Sequence, residues 1–309
     1  MAHYVKVVSI SFPGVSEGER RKERALTSAL EWIDRAAQEK PDIVCLPETF
    51  TGLGCSNEAW FATAEPVPGP TSEAVSEKAR QYGTYIICPM VHQKEDRTYN
   101  SAVLIDRRGE VVGAYHKIHP TIGEIESGIT PGTEPTVFET DFGRIGCAIC
   151  FDINFQDVGD GLFANGAEIV FFPSMFRAGL ILSIWAVRYR CFVISATPGE
   201  QSVIVNPLGR VLVQSFVHGR VIARTLNLDK EVLHLDYNAE KLDDLKTKYG
   251  PDVELEIASP EAVFLLSSHH PRATARDMIR EFELEPVADY FDRANRIRTE
   301  ALAQAGKNI

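Results

Sequence analysis

No apolar run in the 309-residue sequence approaches the roughly 20 residues that a helix needs to cross a bilayer, so no membrane partner is expected. The N-terminus enters an apolar strand almost at once, with no basic-then-apolar leader and no small-residue cleavage site, and a cytoplasmic protein is expected. Basic residues are scarce as well. Against 43 Asp and Glu there are 32 Lys and Arg, and the net charge of -11 has the wrong sign for general nucleic-acid binding, which needs a basic face. Six cysteines are too few to build a disulfide scaffold in so long a chain. Several of them sit inside strand-like apolar runs, as small hydrophobes would, which fits a reducing compartment. The sequence shows no internal repeat, low-complexity tract or obvious linker.

What is present is ordinary for a soluble globular protein: 44% hydrophobic and 24% charged residues. Strands are predicted at Tyr4–Ser11, Asp42–Leu46, Tyr85–Met90, Ser101–Ile105, Val111–Tyr115, around Val137 and Ile145, and at Ile169–Phe172, Phe192–Ala196, Ser202–Val205 and Val211–Val213. Between them, helices are predicted at Ser16–Glu39, at Ser72–Tyr82 with Thr71 as N-cap, at Phe155–Asn165 and at Leu180–Arg190. A long irregular stretch runs from Lys117 to Pro135. Alternating strands and helices with hairpins mixed in indicate an α/β fold. The strand count is too high for one ordinary sheet and suggests two packed sheets with helices outside. The main domain is placed at 1–231. Residues 232–309 form a C-terminal extension with three charge-rich amphipathic helices, Asn238–Tyr249, Ala273–Glu283 and Val287–Ala303, and too little apolar density for a core of its own. It is expected to pack on the main domain or on a partner subunit.

Three strand ends carry chemistry. Glu48 closes Leu46-Pro47-Glu48, Lys117 lies in His116-Lys117-Ile118-His119, and Cys150 ends the buried run Gly146-Cys147-Ala148-Ile149-Cys150 before Phe151-Asp152. Strand ends at one edge of a layered α/β fold converge, and sites form there. A base, a cation and a soft nucleophile together could generate and use a thiolate, with the ammonium and the amide after the nucleophile binding an oxyanion. The same residues also read as CxxC and HxxH, four possible zinc ligands. Residues three apart on a strand point to opposite faces, which opposes that reading, so no metal or cofactor is expected.

These three blocks, in this order and spacing, resemble the signature blocks of the nitrilase superfamily of carbon–nitrogen hydrolases. Gly199 through Gly209, with Ser202 and the Asn206-Pro207-Leu208-Gly209 turn, is similar to the later strand-turn-strand block of that family. The likeness covers roughly Val5 to Leu228. It implies a four-layer-forming α-β-β-α sandwich, a homodimer or higher homo-oligomer, no cofactor, and a triad with Glu48 as base, Lys117 as intermediate stabiliser and Cys150 as nucleophile. The Phe151 amide would be the oxyanion donor. A second glutamate after the lysine is common in such proteins; Gly123-Glu124-Ile125-Glu126 offers Glu124 by spacing, with Glu126 as the alternative.

The resemblance implies cleavage of a non-peptide C–N bond, with amidase-like Phe151-Asp152 after the nucleophile where true nitrilases tend to have Trp-Glu. Carbamoylases place arginines soon after the cysteine, whereas Ile153-Asn154-Phe155 stands there. An uncharged or weakly charged amide is therefore the expected substrate, and an N-carbamoyl amino acid or amine the alternative. Met175 and Phe176 are candidate pocket walls. Arg177 is left open between an ion pair and a substrate anchor, and Arg188 is expected to be structural. A non-catalytic family member is the contrasting possibility, and an intact Glu48, Lys117 and Cys150 weighs against it.

Overall fold

The computed structural model describes residues 3–306. They form two compact units, one from Val5 to Leu226, the other from residues 227–306 with His3 and Tyr4.

In the first unit, β1 (Tyr4–Ile10) is followed by α1 (Arg21–Ala36), β2 (Ile43–Cys45), the short helix α2 (Asn57–Phe61), α3 (Pro70–Tyr82) and the antiparallel run β3 (Tyr85–Lys94), β4 (Arg97–Ile105) and β5 (Val111–His116). After α4 (Ile122–Glu126) come β6 (Val137–Thr140), β7 (Gly143–Cys147), α5 (Gln156–Ala164), β8 (Ile169–Pro173), α6 (Leu180–Tyr189), β9 (Phe192–Ala196), β10 (Val203–Val205), β11 (Val211–Gln214) and β12 (Val221–Asn227). Two six-stranded sheets result, ordered β12-β1-β2-β3-β4-β5 and β11-β10-β9-β8-β7-β6. Within each, three consecutive strands are parallel (β1-β2-β3 and β7-β8-β9) and the next two in the chain return antiparallel. The sequence shows no repeat, yet the topology repeats.

Alternation along the strands sorts their side chains. Val8 and Ile10, Val44 and Leu46, Ile86 and Cys88 pack with Ala29 and Ile33 of α1 and Val75 and Ala79 of α3. Val170, Phe172 and Val193 pack with Val158 and Leu162 of α5 and Trp185 and Tyr189 of α6. The opposite faces of the two sheets meet each other: the Ser9 hydroxyl donates to the Ser195 carbonyl at 2.7 Å, and Ser11 bonds Ser202 at 2.6 Å and Ser215 at 2.7 Å. This is the α-β-β-α sandwich. The central strands, buried on both faces, read as continuous apolar runs, as parallel strands between layers do.

Some elements differ from those expected. α3 starts two residues earlier, on Pro70, with Gly69 rather than Thr71 as N-cap, because the Ser72 hydroxyl accepts the Gly69 N–H at 2.9 Å while Thr71 is drawn to the Glu65 carboxylate. The stretch after Lys117 is not wholly irregular, since α4 forms there. Its return is tied by Gly132, whose N–H donates to the Lys117 carbonyl at 2.8 Å and where a Cβ would stand 2.1 Å from the His116 carbonyl oxygen. Only glycine permits that approach.

The second unit holds the helices α7 (Leu242–Tyr249), α8 (Ala275–Glu281) and α9 (Val287–Gly306), together with three strands that were not anticipated: β13 (Lys230–His234), β14 (Val253–Ala258) and β15 (Val263–Ser268). The sheet order is β13-β15-β14. The expectation that this region has no core of its own fails: Leu233, Leu245, Val253, Phe264, Leu266, Met278 and Ile279 form one buried cluster. Charges in β13 and β14 disguised it, although β15 between them carries none and is buried along nearly its whole length.

Candidate active site

Glu48, Lys117 and Cys150 come together at the C-terminal ends of β2, β5 and β7, lining one cavity of about 310 Å³ with Glu124 and Met175. Each is placed by local structure. Two residues past β2 the chain turns through Glu48 and Thr49, the latter in a left-handed conformation (φ 39°). Thr49 is held from the side by the Trp60 indole, which donates to its hydroxyl at 2.8 Å. Lys117 directly follows β5, and its N–H donates to the Asn100 carbonyl on β4 at 2.9 Å.

The strand expected to run into Cys150 ends sooner, at Cys147, and Cys150 opens a 3₁₀ turn. Its φ of 49° is costly for a residue with a Cβ, by about 1 kcal/mol or more, so the surroundings must impose it. Asp152 does so. Fully buried, it accepts the Ile149 N–H at 2.8 Å, the His119 N–H at 2.8 Å and the Tyr115 hydroxyl at 2.7 Å. Burial raises its pKa, and those three bonds oppose the rise by favouring the carboxylate. The turn bearing the thiol is thus tied both to β5 and to the loop after Lys117.

Lys117 is the electrostatic centre. Only 1% exposed, its ammonium donates to Glu48 Oε1 at 2.9 Å and to Glu124 at 3.0 and 2.8 Å. Burial alone would push it toward neutrality, but the charges of Glu48, Cys150 and Glu124 outweigh that and hold it above the ordinary lysine value. Glu124 reaches it through helix capping. Thr121 is the N-cap of α4, its hydroxyl accepting the Glu124 N–H at 3.3 Å, while Glu124 Oε2 accepts the Thr121 N–H at 2.7 Å. Burial acts to raise Glu124, yet Lys117, Asn100 and the Thr121 amide together keep it below its ordinary value. For Cys150, burial and the Glu48 charge push the thiol up to about 12, against the opposing pull of Lys117 and of hydrogen bonds from Ser174 and the Met175 amide. The resting group is a thiol beside a carboxylate.

Asn100 was not singled out in the sequence. Fully buried on β4, its amide donates to Glu48 Oε1 at 2.8 Å and Glu124 Oε1 at 2.7 Å, bridging two carboxylates that would otherwise repel. Its Oδ1 finds no hydrogen-bond partner among the described residues. The only sequence signal is an amide amid the apolar strand residues of Tyr99-Asn100-Ser101-Ala102. Glu48 Oε2 in turn accepts the Met175 N–H at 2.8 Å, so Met175 contributes its backbone as well as a wall.

Other candidates lie elsewhere. Glu126 is exposed and does not line the cavity; two residues on from Glu124, it leaves α4 on the other side. Phe176 packs edge-on to Phe172, and Arg177 faces Glu200 at 3.8 Å, neither lining this cavity. Arg188 pairs with Asp160 at 3.4 Å. His116 bonds Ser101 at 2.7 Å and stacks on Tyr99, while His119 stacks on Phe155 and meets Asp157 at 2.9 Å. Among the described residues no group of three or more His, Cys, Asp or Glu is arranged to hold a metal ion, and no helix is long and apolar enough to cross a membrane.

The sequence profile of the family described as Carbon-nitrogen hydrolase matches residues 16–230. The chain belongs to the carbon–nitrogen hydrolase family. It is thus an enzyme of C–N bonds other than peptide bonds. An omega-amidase, NIT2 of Xenopus tropicalis, is 26% identical over 234 residues, covering 67% of this chain and 84% of that one. Nit3 of Saccharomyces cerevisiae, a member of the nitrilase superfamily, superposes with a TM-score of 0.65 at 21% identity over 81% of this chain and 95% of its own. A variant of the amidase from Nesterenkonia sp. AN1 superposes with a TM-score of 0.60 at 18% identity, covering 80% and 96%. That structure shows covalent addition of the acetamide moiety of fluoroacetamide at the active-site cysteine of the Nesterenkonia protein. These likenesses establish the nitrilase-type fold.

Proposed function

We propose that this carbon–nitrogen hydrolase cleaves a small primary amide to a carboxylic acid and ammonia through a thioester on Cys150. The observation that carries the reading is the buried Lys117 ammonium, bonded to Glu48 and Glu124 at the base of the cavity that also exposes the Cys150 thiol. Glu48 takes the thiol proton as sulfur adds to the amide carbon. The oxygen's developing charge falls to Lys117 and the Phe151 N–H, donors fixed before the reaction begins. Glu48 passes its proton to the nitrogen, the C–N bond breaks, and ammonia leaves a thioester. Water then gives a proton to Glu48 and adds to the thioester carbon; collapse expels the sulfur, which regains the proton. Glu124 and Asn100 hold Lys117 and Glu48 in place throughout and touch no reacting atom. The covalent adduct formed on the Nesterenkonia cysteine supports a cysteine nucleophile on this fold.

Ammonia release is measured against matched primary amides, N-carbamoyl compounds and nitriles, with wild type beside Cys150→Ala. Release from the amides that vanishes in a folded Cys150→Ala protein is expected. A fully active Cys150→Ala enzyme would refute the assignment, and release from N-carbamoyl compounds alone would replace the amide by a carbamoyl group.

A further inference from the structure

The stretches that wall the cavity contain no spare cation. Residues 41–77, which supply Thr49, Asn57 and Trp60, contain no Lys or Arg; nor do residues 118–143, with Thr121 and Glu124, or 145–176, with Cys150 and Met175. Among the described residues, the one basic residue lining the cavity, Lys117, already bonds two carboxylates. Arg21 touches the same loop at Gly54, but its two terminal nitrogens are committed to the carbonyls of Gly54, Leu53 and Val15 at 2.9, 2.6 and 3.3 Å, its Nε is buried without a partner among the described residues, and the residue does not line the cavity. Lys22 is likewise bound to the Thr63 carbonyl and the Glu65 carboxylate.

The cavity therefore presents two carboxylates against one ammonium. A carboxylate on the substrate's acyl chain would shed water there and find no guanidinium fork and no ammonium beyond Lys117, which the reacting oxygen takes up. A neutral chain meets Trp60, Met175 and the hydroxyls of Thr49 and Thr121, and a cationic one gains from the net field.

We infer that the enzyme selects by charge: short amides with neutral or cationic acyl chains are substrates, and anionic ones are excluded. This rests on the reading of Cys150 as the hydrolytic nucleophile, but it makes a separate demand on the cavity.

Three four-carbon amides with a methyl, an aminomethyl or a carboxylate end test it: butyramide, 4-aminobutyramide and succinamate, compared by kcat/KM near neutral pH. Succinamate is expected about 100-fold below butyramide, the effect of one like charge several ångströms away in a partly shielded site, with 4-aminobutyramide at or above butyramide. Asn57→Arg, on the exposed first turn of α2 at the cavity wall, should narrow the neutral-to-anionic ratio by about tenfold. Succinamate turned over as well as butyramide overturns the proposal.

A second measurement needs no turnover. Cys150 alkylation by neutral iodoacetamide and by anionic iodoacetate is followed by mass on the Cys150 peptide, relative to free cysteine. A relative preference for iodoacetamide of about 100-fold supports charge selection even if no amide is hydrolysed, in which case the hydrolase reading alone fails. A ratio equal to that of free cysteine sinks the proposal whatever the amides show.

Discussion

Replacing Asn100 by Leu removes the amide that bridges Glu48 and Glu124 while keeping the branching of the side chain. Two hydrogen bonds to charged acceptors disappear, at 2.8 and 2.7 Å. Each such bond contributes about 1.5–3 kcal/mol, but both carboxylates keep Lys117, so the low end applies and the sum is about 3 kcal/mol. If that energy holds the carboxylates where chemistry needs them, kcat/KM falls roughly 10²-fold, with most of the loss in kcat. Stability should suffer less, because the substitution also removes an Oδ1 that has no partner among the described residues. The pH profile separates positioning from packing. Asn100 helps depress Glu124, so without it the Glu124 pKa rises toward its ordinary value. A depressed carboxylate stabilises the fold above its unfolded pKa, and that contribution is lost as pH falls through the folded value. In Asn100→Leu the acidic limb of activity should therefore move to higher pH, while the stability that Glu124 contributes should be smaller and its loss complete at a higher pH. Steady-state ammonia assays across pH, beside thermal melts, measure this. An Asn100→Leu enzyme within about threefold of wild type, with an unmoved acidic limb, would refute the reasoning.

Two further substitutions follow from the same geometry. Glu124→Gln should cost about 10²-fold or more in kcat/KM by loosening Lys117, whereas Glu126→Gln, exposed and off the cavity, should stay within about twofold; equal losses would show that α4 matters only as a helix. Asp152→Asn turns one of the acceptors facing the Ile149 and His119 amides and the Tyr115 hydroxyl into a donor, and should lower stability by about 2–4 kcal/mol in denaturant titration. Activity of the folded fraction should fall too, because the left-handed turn at Cys150 loses its anchor; full activity per folded molecule would show that the turn holds itself.

Local features were legible in the chain because they depend on near neighbours. Apolar alternation and helical spacing located most strands and helices of the first unit, and the residue types at three strand ends named Glu48, Lys117 and Cys150 before any geometry was known. The Thr121-Ile122-Gly123-Glu124 capping pattern was there to be read as well. In the second unit, Val253-Glu254-Leu255-Glu256-Ile257 alternates as a strand should, but its charges conceal it, and of its apolar residues only Val253 is fully buried.

Tertiary structure alone decided the rest, because the partners are distant in the chain. Asn100 is an ordinary strand amide until the pairing of β4 with β5 brings it beside Lys117, and until Glu48, 52 residues away, reaches it. The choice between Glu124 and Glu126 turned on which side of a single helical turn faces the buried ammonium. Asp152 looks like a loop residue until three donors from separate segments converge on it. The strand ends offered a thiol, a carboxylate and an ammonium; only folding could place the ammonium between two carboxylates, because that costs burial energy which long-range contacts alone can offset.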